Sequence, residues 1–296
     1  MSFTASLLLH GRAVAGPFTW AWSIHPSVVI GTGLLGAVYC WGIGPWRRRR
    51  GLPPARPGQI TAFGVAMLLL LGSLNGPVHD LSDDYLFWVH MVQHMVLTLI
   101  WPPLLIYSIP GWLLEPALAV PGVRRVARVL TQPVVAALIF TVTFAAWHVQ
   151  QYYELMMEVH GVHVATHILF MVASVILWFP VLSPLAEFPR LAPGKAMLYL
   201  FLSSIPMQIV AAILTFADTP LYPWYVAAPR VPQLGNLSAL EDLTVGGLIM
   251  WIPGNLYMFG AIALQFRRWV RENQQEEELE AAARQAAREG AAVARA

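Results

Sequence analysis

The sequence predicts an all-α polytopic membrane protein: a bundle of seven transmembrane helices with its N-terminus outside and its C-terminus in the cytoplasm. Three observations carry the prediction. The 296 residues are 57% hydrophobic and only 11% charged, whereas soluble domains run at about 25% charged. Seven windows approach the roughly 20 apolar residues that a spanning helix needs. The basic residues between those windows fall almost entirely on one side, which is how membrane proteins fix their orientation.

Taken in order, the first window, Pro26–Gly44, is followed by Arg47, Arg48, Arg49, Arg50 and Arg56. The second, Gln59–Leu74, is short and leans on flanking residues. The third, Tyr85–Tyr107, precedes Arg124, Arg125 and Arg128; Pro102 and Pro103 are expected to kink or close it. The fourth, Gln132–Trp147, is short again. The fifth, Val162–Leu182, leads to Arg190 and Lys195, where the sixth, Lys195–Ala217, begins. The seventh, Leu243–Gln265, precedes Arg267, Arg268, Arg271, Arg284, Arg288 and Arg295. Of the 18 basic residues only Arg12 and Arg230 lie on the other side, so the crowded side is cytoplasmic.

The chain therefore divides into an outer segment 1–25, a membrane domain 26–269 and a cytoplasmic tail 270–296. Before His10 and Arg12 there is only the short apolar run Ser6–Leu9, so no cleavable signal peptide is expected. The tail, with Glu276, Glu277 and Glu278, reads as solvated helix or disorder. The longest outer loop, Asp218–Ala239, is expected to lie along the lipid headgroups, with Tyr222, Trp224 and Tyr225 at its start. No repeat, phosphate loop or nucleophile elbow is visible. Topology accounts for the arginine runs, so no nucleic-acid partner is expected. The single cysteine, Cys40, excludes an intrachain disulfide and a Cys-rich metal site. Pairing between chains, and with it a homo-oligomer, stays open.

All nine histidines fall in outer loops or outer halves of spans: His10, His25, His79, His90, His94, His148, His160, His163 and His167. Ionisable groups inside a membrane are costly unless paired or functional, so this one-sidedness needs a reason. His90 and His94 are four apart on the third helix and share a face, with Met91 and Met95 adjacent; a start near Tyr85 puts His94 about 13 Å deep. His163 and His167 repeat the spacing on the fifth helix, and His148 ends the fourth. If these helices are neighbours, five imidazoles converge on one outer pocket.

Imidazole suits copper, zinc, iron and nickel, whereas thioether selects copper(I). A His/Met group without thiolate leans toward copper over structural zinc, which recruits cysteines. Acids on the same side, Asp80 and Asp242 foremost, could orient the imidazoles. Asp83 and Asp84 read more simply as N-terminal helix charges, and Gly246-Gly247 with Met250-Trp251 as residues that permit close helix approach.

Several of these pieces occur in a known order: His90-Met91-x-x-His94-Met95, Pro102-Pro103-Leu104-Leu105, Trp147-His148, the pair His163 and His167 followed by Trp178, Leu221-Tyr222-Pro223-x-Tyr225, Asp242 ahead of Gly246-Gly247 and Met250-Trp251, and Arg268-Trp269. In them the chain resembles the CtaG family of bacterial cytochrome c oxidase assembly factors, seven-span proteins linked to copper delivery. The resemblance covers nearly all of the chain from the first helix to the seventh. It implies a multi-pass protein of the bacterial plasma (inner) membrane, in contact with membrane lipid and not an enzyme. It further implies that His90, His94, His148, His163 and His167 handle copper, and that the client is the catalytic subunit of a haem-copper oxidase.

Three functions are compatible with the residues alone. One is an assembly factor holding copper, as Cu(I), and passing it to oxidase subunits. Another is a permanently bound accessory subunit of a respiratory complex, with two imidazoles on opposed helices ligating haem b. The third is a membrane zinc hydrolase, for which Glu154, Glu158 or Asp242 would have to serve as acid or base.

Overall fold

In the computed structural model residues 16–293 are described, with side chains placed through Gln285. His10, Arg12 and Arg295, the first 15 positions of the N-terminal segment and the side chain of Arg288 lie outside the described residues. Among the described residues the chain is helical with no strand. Five helices are long and apolar enough to cross a membrane, and two bent pairs raise the number to seven if each is one span.

The unbent spans are α1 (Pro26–Arg49), α4 (Phe87–Ser108), α9 (His160–Leu182), α10 (Pro193–Thr215) and the apolar part of α12 (Ala239–Val293). The two short windows are the bent pairs. α2 (Pro57–Ser73) turns by 48° into α3 (Gly76–Asp84), and α6 (Pro121–Leu130) turns by 74° into α7 (Pro133–Trp147). Among the described residues the short helices α5 (Gly111–Leu118), α8 (Gln150–Glu158) and α11 (Pro223–Ala227) and one 3-10 turn, Pro232–Leu234, lie between these. Proline opens α1, α2, α6, α7, α10 and α11, where its missing N–H is one that a helix start leaves unpaired anyway.

The α2–α3 bend has a local cause. Gly76 sits at φ +65°, and a Cβ there would meet the Trp22 ring at 2.8 Å, so only glycine fits the turn. The bend steers α3 into the bundle and buries His79 and Asp83. At the other bent pair, α6 carries Arg124, Arg125 and Arg128 on one side and exposed Val123, Val126 and Val129 on the other. That segregation suits a helix lying at the membrane surface. Arg124 and Arg128 both reach Glu187, and the Arg124 hydrogen bond holds that carboxyl below its usual range.

Central to the bundle is α4, the most buried of the candidate spans. It packs against α3, α2, α9 and α12, while α9, α7, α10 and α12 close a ring with it. Pro102 and Pro103 do not close α4. A π turn at Val96–Ile100 carries the helix through to Ser108, and the Thr98 carbonyl that Pro102 cannot pair accepts the Trp178 indole N–H at 3.1 Å. Gly246 and Gly247 permit close approach on two sides: a Cβ on the first would strike Phe87 of α4, and one on the second would lie 2.6 Å from Thr215 Oγ1 of α10. Of the expected tail, the described residues 270–293 continue α12 as helix.

Candidate functional site

Where α3 ends and α4 begins, Asp83 sits 5% exposed with imidazoles around it. Its Oδ2 lies 3.4 Å from Nε2 of both His79 and His163, and its Oδ1 lies 4.0 Å from Nδ1 of His90. His90 is fully buried. Ring centroids tie the group together: His90 to His163 6.2 Å, His90 to His167 6.3 Å, and His79 to His163 6.1 Å. Asp83 thus has histidines, with no lysine or arginine, as its ionic partners among the described residues. Burying a carboxylate is costly unless positive charge compensates it.

Gln93, one turn from His90 and 1% exposed, sets the proton positions nearby. Its amide nitrogen donates to the Ser73 carbonyl, which can only accept, so the nitrogen is identified. That nitrogen also lies 3.1 Å from His79 Nδ1; Nδ1 therefore accepts, and His79 keeps its proton on Nε2, facing Asp83. The amide oxygen of Gln93 accepts from His167 Nε2 at 3.3 Å, which leaves the lone pair of His167 on Nδ1. Ser82 Oγ donates to Asp83 Oδ1 at 2.8 Å.

The start of the 218–239 loop folds inward over this cluster. Tyr222, Trp224 and Tyr225 are all buried. The Trp224 indole donates to the Asp83 carbonyl at 2.6 Å, and the Tyr225 hydroxyl donates to the Ser82 carbonyl. Tyr153 of α8 donates to the Tyr225 hydroxyl at 3.3 Å. Burial pushes both phenols well above their ordinary value, so they remain neutral. Toward α1 the cluster opens on a cavity of about 310 Å³ whose polar lining includes His25, His79, His160, His163 and His167.

Across α4 lies a second, smaller space of about 10 Å³ at the axis of the five-helix ring. His94 borders it together with Met91 and Met95 of α4, Met207 of α10 and Met250 of α12. His148, just past the end of α7, lines it too, with its ring 4.4 Å from Phe144. His94 joins the two groups, its ring lying 4.3 Å from that of His90 and 5.7 Å from that of His167.

Residues 37–272 match the family described as cytochrome c oxidase caa3 assembly factor, Caa3_CtaG. The chain belongs to this family. No curated protein and no solved structure matches it.

For this CtaG-family chain, the residues expected at the site separate into groups. His90, His94, His163 and His167 come together. His148 stands apart from them on the thioether side, with Met91 and Met95. The two acids singled out as orienting groups point elsewhere: Asp80 accepts from Ser23 Oγ at 2.7 Å and lies 3.7 Å from His25 Nε2, while Asp242 accepts the Phe87 and Trp88 main-chain N–H groups at 2.8 and 2.9 Å.

Asp83 holds the position between the rings. It is no N-terminal helix charge, because α3 ends at Asp84 and α4 starts only at Phe87. Its spacing of four from His79 was a readable signal. Gln93, Met207 and Met250 had no comparable one, since nothing local says which way a lone glutamine or methionine in an apolar helix points.

Among the described residues no three His, Cys, Asp or Glu side chains form a group arranged to hold a metal ion. The donor chemistry nonetheless fits a soft cation. Both ring nitrogens of His90 and of His94, and Nε2 of His148, are buried without a hydrogen-bond partner. Unsatisfied buried polar atoms are rare and call for an explanation such as an ion.

Proposed function

We propose that this CtaG-family chain assembles a haem-copper cytochrome c oxidase by binding copper at the outer end of the bundle and delivering it to the oxidase catalytic subunit. It acts from the bacterial plasma membrane, with the arginine-rich end in the cytoplasm, and performs no catalytic step of its own. One observation carries the reading: among the described residues buried Asp83 has only histidines as ionic partners, and neither ring nitrogen of His90, one of them, makes a hydrogen bond. A negative group beside open lone pairs is a place for a cation. Delivery requires release, and a site of imidazoles and a carboxylate without thiolate holds copper less tightly than a cysteine pair.

The test is a copper(I) titration and an optical spectrum of the detergent-purified protein. The expected result is uptake of copper(I) that is lost in the His90→Ala/His94→Ala variant, with no Soret absorption. Undiminished uptake in that variant overturns the reading. A strong Soret band replaces it with a haem-ligating accessory subunit.

A further inference from the structure

The methionines of the ring axis are placed too regularly to be treated only as filler. On α12, Gly246, Met250 and Gly254 recur every four residues and share one face. A Cβ on Gly246 would come 3.2 Å from Cγ of Met91, and one on Gly254 would come 3.3 Å from Cε and 3.6 Å from Sδ of Met95. The two glycines therefore seat the α4 thioethers against α12, with Met250 between them. Met207 of α10 borders the same space. Four methionine side chains from three helices thus line one small chamber.

Two histidines complete it, and their nitrogens are prepared as ligands. His148 Nδ1 lies 2.7 Å from the Phe144 carbonyl, which can only accept, so Nδ1 carries the proton. Nε2 is then a bare lone pair, and it is buried without a partner. Fixing the tautomer through the other ring nitrogen is the arrangement of metal-bound histidine. Both ring nitrogens of His94 are equally unpartnered. Methionine alone would be an ordinary gap-filler in such a core; paired with two unsatisfied imidazoles, it is not.

We infer that Met91, Met95, Met207 and Met250, with His94 and His148, form a second site that takes a dehydrated copper(I) ion, distinct from the Asp83 cluster. The chamber measures about 10 Å³, at the lower limit for even a single water, so it suits a bare ion and not a hydrated one. Thioether selects the monovalent state. A chain of rings leads to it: His25 to His79 at 4.3 Å, His79 to His163 at 6.1 Å, His163 to His167 at 4.5 Å, and His167 to His94 at 5.7 Å. The carboxylate cluster is the receiving station and the thioether chamber the holding one.

This inference rests on the copper reading above, and its test separates the two. X-ray absorption of the copper(I)-loaded full chain is expected to show sulfur scatterers, replaced by selenium scatterers when the protein is made with selenomethionine, which needs no substitution. Met207→Leu/Met250→Leu, close in volume, is expected to lose one equivalent of copper(I) and the sulfur signal. His79→Asn/His163→Asn is expected to keep that signal. Copper bound with only nitrogen and oxygen neighbours, or a sulfur signal unchanged in the double leucine variant, overturns the thioether site while leaving the assembly-factor reading in place. Absence of any copper(I) uptake by the unaltered protein overturns both.

Discussion

Asp242 accepts the main-chain N–H of Phe87 at 2.8 Å across 155 positions of sequence. With its second oxygen on the Trp88 N–H at 2.9 Å, this carboxylate from α12 caps the start of α4, the helix that carries His90, Gln93 and His94. The cap satisfies N–H groups that a helix start otherwise leaves unpaired, and it places a negative charge at the positive end of the helix dipole.

Replacing Asp242 by alanine is expected to cost about 1.5–3 kcal/mol, the range for hydrogen bonds to a charged group, read as a lower midpoint of thermal unfolding in detergent. Asn at this position keeps one acceptor and should fall between the two. A melting curve for Asp242→Ala that overlays the parent would remove the cap from the account.

Asp83→Asn keeps the shape of the side chain and deletes its charge. Copper affinity is expected to fall roughly 10–100-fold, the range for altering groups that support a metal ligand, in a titration against a chelator. Equal affinities would mean that the carboxylate plays no part in attracting the ion.

Gly247→Ala places a methyl carbon 2.6 Å from Thr215 Oγ1 and 2.7 Å from Thr215 N. Overpacking of this kind costs about 1–3 kcal/mol, and chemical unfolding should register it. Gly260→Ala, with nothing within 4 Å of the new carbon, is the control and should match or exceed the parent, because alanine favours the helix over glycine.

Trp224→Ala removes the indole that lies over the Asp83 carbonyl. Release of bound copper to an added chelator is expected to accelerate, measured by stopped-flow absorbance. A release rate equal to that of the parent would show that the α11 segment does not help to close the cluster.

Helices were legible because their signals are local. An apolar window of spanning length, a proline at a helix start and an arginine run after a span each act within a few residues. The two windows that read as short are the two that bend, and Gly76 marks one of those bends. His90 with His94, and His163 with His167, were legible for the same reason: a spacing of four fixes a shared face whatever surrounds the helix.

Neighbourhood was not legible. Sequence spacing put Asp83 four residues from His79, but only the turn at Gly76 carries both beneath His163, and only the ring closure of α10 and α12 on α4 brings Met207 and Met250 to His94. Asp242 is spaced in sequence like an acid available to a histidine, but both its oxygens accept from the backbone of α4. The chain by itself determined a multi-span helical protein with histidines gathered at the end away from its arginines, because hydropathy, charge and helical period are properties of consecutive residues. Tertiary structure alone decided that those histidines share one carboxylate and that four methionines line one chamber, because contacts between helices depend on bends and crossings that short-range pattern does not encode.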